Sequence, residues 1–467
     1  MTRALLLVAL AAALMAGCAA GPDYRRPEAV APPAFVAADG PGLASGVPDP
    51  AWWQGFDDPV LAVLVERAAA ANYDVRIATA NLRASRALLR GGRLEFLPII
   101  TAQGSVTREK QSSAVGLPFV LEDDYYDAGF DATWEIDVFG RVRRSVEALE
   151  ADYESEQALY RETLRSVIAE VARTYVELRG WQYRLEVARR NTRNQEETYA
   201  LTLALLEGGR GTDLDIARAL AQLESTRASM GPLQASEGEA LSRLAVLAGG
   251  PPDDIRALLR ATTALPRPPE FVTVPDPAAL LRRRPDIRAA ERQLAAATAR
   301  TRVAVADYFP RVTLTGSAGW RGTSLSDLGD TAAERYVFGP TISWAALDMG
   351  RVRARVQASD ARTEAALARW EQSVLGALEE TEAALNRYSR ALESAARLGI
   401  AADASSRAAE LARLRYRNGA DSFLTGLDAE RRQLEAEDRR ATAETDASLA
   451  AVAVYKALGG GWETFAP

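Results

Sequence analysis

The side chains that usually carry out chemistry are nearly missing from this chain. Histidine is absent, cysteine occurs once, at Cys18, and lysine occurs only at Lys110 and Lys456. Without imidazole there is no Ser-His-Asp triad, no histidine metal site and no use of the commonest acid–base catalyst. A lone cysteine excludes internal disulfides and cysteine metal clusters. The run Gly208-Gly209-Arg210-Gly211 is not followed by Gly-Lys-Ser/Thr, so it reads as a turn and not as a phosphate loop. Carboxylates alone would have to perform any catalysis, and they are spread along helical faces. The chain therefore reads as no enzyme, with no metal and no bound cofactor. Its net charge of −7 and pI near 5.2 argue against a nucleic-acid partner.

One reactive position remains. Arg3, an apolar run over residues 4–15 and then Met15-Ala16-Gly17-Cys18 read as a secretory signal over residues 1–17, too short to span a membrane. The small residues before Cys18 resemble a bacterial lipobox, although Met15 departs from the usual Leu, Val or Ile. That resemblance implies a covalent lipid on Cys18, which anchors without spanning. Residues 18–50, rich in Ala, Pro and Gly, read as an extended tether.

The acids that stand out by pattern lie in a two-residue alternation. Tyr126, Ala128, Phe130, Ala132, Trp134, Ile136 and Val138 interleave with Asp127, Gly129, Asp131, Thr133, Glu135 and Asp137. Such a period makes a strand with one apolar and one wet face, and about 11 to 13 residues cross a bilayer when tilted. Residues 98–108 alternate in the same way, with residues 110–124 as the joining loop. A half-buried sheet in a soluble domain gives the same signal in any single strand.

Long helices must position these strands. Over residues 140–206, Val142, Val146, Leu149, Tyr153, Tyr160, Leu164, Val167, Val171, Thr174, Leu178, Trp181, Leu185 and Ala188 recur at alternating steps of four and three. At ~1.5 Å per residue this is a rod of about 100 Å with a coiled-coil seam. It ends at the glycine run, where Thr212-Asp213 caps a returning helix to about residue 248. Shorter helices are expected over residues 59–70 and 72–96.

The second half repeats the first with a shift of about 210 to 212 residues. Phe96-Leu97-Pro98 returns as Tyr308-Phe309-Pro310, Trp134 as Trp344, and Gly140-Arg141-Val142 as Gly350-Arg351-Val352. Gly209 returns as Gly419, Leu214 as Leu424 and Leu247-Ala248-Gly249-Gly250 as Ala457-Leu458-Gly459-Gly460. This gives a first repeat over residues 51–264, a proline-rich linker over 265–277, a second repeat over 278–461 and a tail over 462–467. The second repeat carries strands near 310–320 and 335–346 and a rod near 351–416. Thr313 and Ser343 thereby join Asp127, Asp131 and Glu135 as candidates for a wet inner face. Arg282-Arg283-Arg284 reads as a solvated helix end.

Four alternating strands in two equivalent places are hard to dismiss as chance, so the fold class is mainly α with a transmembrane β part. Four strands cannot close a barrel, because open edges are not tolerated in lipid and the smallest barrels need about eight. Two copies would supply eight strands and three would supply twelve. A structural coiled-coil lipoprotein of the envelope would explain the rods but not the strands. A periplasmic adaptor would carry one hairpin between compact β-domains, without the duplication.

The chain resembles the outer-membrane efflux channel family, in its nodulation-type lipoprotein branch. The residues that carry the resemblance are Cys18 with Gly21-Pro22-Asp23-Tyr24, Trp52-Trp53 through Asp58-Pro59, Tyr416-Arg417-Asn418-Gly419, Leu427-Asp428-Ala429 and Tyr455-Lys456-Ala457-Leu458-Gly459-Gly460-Gly461-Trp462. It implies a homotrimer in the outer membrane of a Gram-negative bacterium, with a twelve-strand β-barrel continued by a twelve-helix α-barrel. It also implies a periplasmic adaptor and a proton-driven inner-membrane transporter of the resistance-nodulation-division type as partners. Drug efflux is favoured over type I protein export by the lipobox and the Gly-Pro-Asp-Tyr start. By position, Asp215 and Tyr416 resemble a cross-linking pair at the periplasmic gate, and Asp421 and Asp428 resemble acids near the constriction. Some members carry a further acid where this chain has Thr425. The same positions also suit capping, with Asp213 at the first tip and Asp421 at the second.

Overall fold

The computed structural model describes residues 23–110, 122–260 and 264–465. The expected signal segment, Cys18 and most of the loop over residues 110–124 lie outside them. In chain order the elements are β1 (Leu43–Ser45), α1 (Pro59–Ala71), α2 (Tyr73–Arg93), β2 (Ile99–Lys110), β3 (Glu122–Ile136), α3 (Arg141–Glu207), α4 (Asp213–Leu247), α5 (Pro252–Leu259), β4 (Val272–Val274), α6 (Pro277–Arg283), α7 (Pro285–Ala306), β5 (Arg311–Gly322), β6 (Glu334–Ser343), α8 (Met349–Arg417) and α9 (Phe423–Ala457). The long helices α3 and α8 have 67 and 69 residues, and the returning helices α4 and α9 have 35 each. Helix α2 stops short of Phe96, because Leu94–Phe96 tightens into a 3-10 turn ahead of Pro98, which disfavours helix in the residue before it. Among the described residues no helix is long and apolar enough to cross a membrane.

The chain divides into two units. One holds residues 81–156 and 289–370 with the N-terminal segment to Pro27; the other holds residues 28–80, 157–288 and 371–467.

The first unit is built on a four-stranded antiparallel sheet in the order β2-β3-β5-β6. The β3–β5 pairing joins the hairpins of the two repeats. Its helical part packs through small side chains, with Ala151, Ala295 and Ala296 buried against Tyr24. Thr301 shares hydrogen bonds of 3.0 Å with Ser359 and with Thr363. The Tyr24 hydroxyl donates to Glu291 at 2.6 Å, and Asp23 pairs with Arg144 at 2.8 Å. The tether expected over residues 18–50 is thus held down at its start, because a tyrosine and an acid among the Ala, Pro and Gly find partners on the helices.

In the second unit Trp52, Trp53 and Phe56 are buried on one 3-10 turn. Trp52 stacks on Tyr455 at 5.0 Å and Trp53 on Phe465 at 5.6 Å. The segment expected to be a tail is therefore docked, with Glu463 also paired to Arg283 at 2.7 Å. Strands β1 and β4 pair in parallel, so part of the expected tether and part of the expected linker zip to each other. Val272 and Val274 are buried there, and each backbone supplies the hydrogen-bond partners the other needs.

The seam of α3 is buried at Val142, Leu164, Val171, Thr174, Leu178 and Leu185. A second stripe, Ile168, Ala172, Tyr175 and Arg179, is equally buried. There the Tyr175 hydroxyl donates to Asp58 at 2.9 Å and Arg179 donates to the Leu259 carbonyl at 3.3 Å. Asp58 also caps α1 through the amides of Val60 and Leu61.

Candidate functional site: a two-faced sheet and two glycine tips

Residues directly opposite in an antiparallel sheet point to the same side, so the register sorts every strand residue onto one of two faces. One face carries Ile100, Ala102 and Val106 on β2, Tyr126, Phe130 and Trp134 on β3, Val312, Leu314 and Trp320 on β5, and Tyr336, Phe338 and Ile342 on β6. Phe130, Phe338 and Ile342 are well exposed on it. Aromatic residues border it at both ends. Tyr126, Trp320 and Tyr336 lie at one end. At the other, the indoles of Trp134 and Trp344 donate to the carbonyls of Phe96 and Tyr308, both at 3.0 Å. From Tyr126 to Trp134 is eight residues, or about 27 Å along a strand. At the strand tilt of about 40° in membrane barrels this is about 21 Å of height, close to the apolar band of about 25 Å between their aromatic girdles.

The opposite face is polar. Asp127, Asp131, Glu135, Thr313 and Ser343 all lie on it, with Thr101, Gln103, Ser105, Thr315, Ser317 and Thr341. Its charges are mostly paired. Arg335 reaches across β5 to grip Asp127 with two bonds, at 2.6 and 3.1 Å, and donates to Ser317 at 3.2 Å. Arg141 holds Glu135 at 2.6 and 2.7 Å, and Arg321 lies 3.6 Å from Glu109. In the row crossed by Arg335, Gly129 and Gly319 face each other. A Cβ on Gly319 would lie 2.3 Å from the Ala128 carbonyl oxygen, so the strands approach there in a way only glycine allows.

The other candidates sit at the ends of the helical hairpins in the second unit. Gly209 and Gly419 both turn the chain at φ +73°, a conformation open to glycine at little cost. The caps differ from expectation. Thr212 and not Asp213 caps α4, and Ser422 and not Asp421 caps α9. A cap must put its side chain over the amides two or three residues ahead, and these hydroxyls are one residue better placed in each case. Asp215 accepts from the Thr212 hydroxyl at 2.7 Å. Asp421 is instead held by Arg415 at 2.6 and 3.2 Å, and Asp428 pairs with Arg432 at 3.0 Å. Tyr416 packs edge-on against Phe423 at 5.7 Å. Within the chain Asp215 therefore bonds its own cap and Tyr416 an aromatic ring, and neither bonds the other.

Two features escaped the sequence reading. Near the tips, Glu430 and Glu437 are buried on α9. Thr198 donates to Glu430 at 2.6 Å, yet burial outweighs this bond and pushes its carboxyl above the usual range. Burial also works against charge on Glu437. Bonds from Arg190, Gln433, Asn191 and Ser406 together outweigh it and hold that carboxyl low. Far along α9, Arg284 is buried and not the solvated helix end expected. It donates to the Ala457 carbonyl at 2.8 Å and pairs with Asp286 and Glu380, each at 2.7 Å. The equivalent position in the first repeat is Asn72, whose amide donates to the Leu247 carbonyl at 2.9 Å. Both groups tie the start of a short helix to the end of a returning one. The apolar flanks of Asn72 and the position of Arg284 after two exposed-looking arginines gave no signal of this shared role.

A sheet with one lipid-like face and one wet face, repeated hairpins and coiled-coil helices define a channel wall. The family model described as outer membrane efflux protein matches residues 64–250 and 277–460, and the chain belongs to that family. The probable efflux pump outer membrane protein TtgC of Pseudomonas putida is 31% identical over 99% of this chain and 96% of that protein. Nodulation protein T of Rhizobium leguminosarum bv. trifolii is 30% identical over 90% of this chain and 89% of that protein. The solved structure of the outer-membrane channel OprN matches with a TM-score of 0.90 at 42% identity, covering 96% of this chain and all of that one.

Proposed function

We propose that the chain is the outer-membrane exit duct of a tripartite efflux pump, passing small molecules from a periplasmic adaptor and an inner-membrane transporter to the outside. The observation that carries this is the sheet: an apolar face of bilayer height backed by a polar face. Among the described residues its edge strands β2 and β6 each lack a partner on one side, which lipid does not tolerate. Other copies of the chain supply the missing strands. Eight strands enclose an interior that side chains fill, so two copies leave no duct. Three copies give twelve strands around a wet lumen lined by Asp127, Asp131, Glu135, Thr313 and Ser343. A lipid on Cys18 adds an anchor in the same membrane, and the transporter is of the proton-driven resistance-nodulation-division type. The purified chain should run as heat-resistant trimers in detergent and conduct in planar bilayers. Monomers that insert without conducting would overturn the reading.

At the tips, Asp215, Tyr416, Asp421 and Asp428 face neighbouring copies at the periplasmic end and narrow the duct. Asp215, which pairs with no arginine among the described residues, supplies the unbalanced carboxylates there that favour cations by Coulomb attraction. Replacing Asp421 and Asp428 together by alanine frees Arg415 and Arg432 as well. Single-channel conductance should rise and cation preference should fall; unchanged values for both would sink the gate assignment.

A further inference from the structure

The polar face of the sheet holds five acids per chain: Glu109, Asp123, Asp127, Asp131 and Glu135. Three are neutralised, Glu109 by Arg321, Asp127 by Arg335 and Glu135 by Arg141. Asp123 stands at the outer end of β3 and accepts the Asp124 amide. Asp131 lies deeper, directly opposite Thr101 and Ser317. It makes no hydrogen bond or ion pair with any described residue. The remaining arginine of this face, Arg311, is taken up by Asp307. Within the span between the girdles, one acid per chain is left outside any ion pair or hydrogen bond among the described residues.

We infer that Asp131 sets the charge selectivity of the barrel, as a single ring of carboxylates at mid-height, and that Arg335 tunes it by silencing Asp127. The inference rests on the duct reading given under Proposed function. Asp131 is four residues from Asp127 and four from Glu135, about 13 Å either way along the strand. This exceeds the screening length of about 8 Å at physiological salt. Ions passing the ring therefore meet the field of Asp131 and not that of the paired groups above and below. The strand order makes the silencing specific. Arg335 comes from the second repeat and Asp127 from the first, and they meet only because β5 carries Gly319 between them.

The test is the reversal potential of wild-type, D131N and R335Q channels in a potassium chloride gradient, with trimer formation checked on gels. D131N keeps the shape and the tip residues of the wild type, so any difference belongs to the barrel. Its potassium-to-chloride permeability ratio should fall about two- to fivefold at low salt, and the difference should fade near 1 M salt, where screening falls to about 3 Å. R335Q uncovers a second ring at Asp127 and should raise the ratio. A D131N channel with the wild-type ratio at low salt, or an R335Q channel with a lowered one, overturns the assignment while leaving the duct reading intact. Wild-type trimers that pass no ions would overturn both.

Discussion

Phe130→Arg should remove most of the protein from the outer-membrane fraction. Phe130 is the middle of three aromatic positions on one face of β3, four residues from Tyr126 and four from Trp134, and is 58% exposed in the single chain. If the girdles sit at the two interfaces, its side chain meets the centre of the hydrocarbon. An arginine facing lipid at that depth costs about 2–4 kcal/mol per copy, and the three-copy ring proposed above would bear it three times. Thr133→Arg is the matched control, since it places the same charge three residues on, on the polar face. Heat-resistant trimer in membrane extracts should be lost for Phe130→Arg and kept for Thr133→Arg. Equal yields would mean that this face does not meet lipid.

The second large effect concerns Arg284→Met. The guanidinium is almost fully enclosed and serves Asp286, Glu380 and the Ala457 carbonyl together. Removing one partner of a buried ion pair costs about 3–5 kcal/mol, and the lower end applies because Asp286 and Glu380 keep some water. Burial works against charge on Asp286, but the bonds and charge of Arg284 outweigh it and hold its carboxyl below the ordinary value. A depressed carboxyl contributes stability that is complete above the ordinary carboxylate range and is lost as pH falls through its folded value. The denaturant midpoint of the variant should therefore lie well below that of the wild type at pH 7, and the gap should narrow below about pH 4. A gap that does not change with pH would show that the ion pair is not its source.

Much of this was legible because periodicity is a direct imprint of packing. The steps of four and three from Val142 to Ala188 report one face of a helix pressed on neighbours, and those residues that the seam names are largely buried. The alternation from Tyr126 to Val138 likewise reports two solvents on two sides of a strand. What stayed hidden was whatever depends on a single partner far away in the chain. Arg284 looks like its neighbour Arg282 in sequence, and only the arrival of Ala457 and Glu380 separates a buried arginine from an exposed one. Leu43–Ser45 is too short to show a period, so its pairing with Val272–Val274 leaves no trace in either segment. The cap was misplaced by one residue at the second tip and left between Thr212 and Asp213 at the first, because Asp and Ser, or Thr and Asp, stand side by side there and both are good caps.

The tie between the short and returning helices has one further consequence. A duplicated chain begins with two copies of every joint, and here the copies have drifted to different chemistries. Asn72 makes its joint with a neutral amide, which no proton can alter. Arg284 makes the same joint with a cluster of charges, which acid can undo. Below about pH 4 the second joint would then loosen while the first keeps its shape, so the two halves of one chain answer the same acid differently.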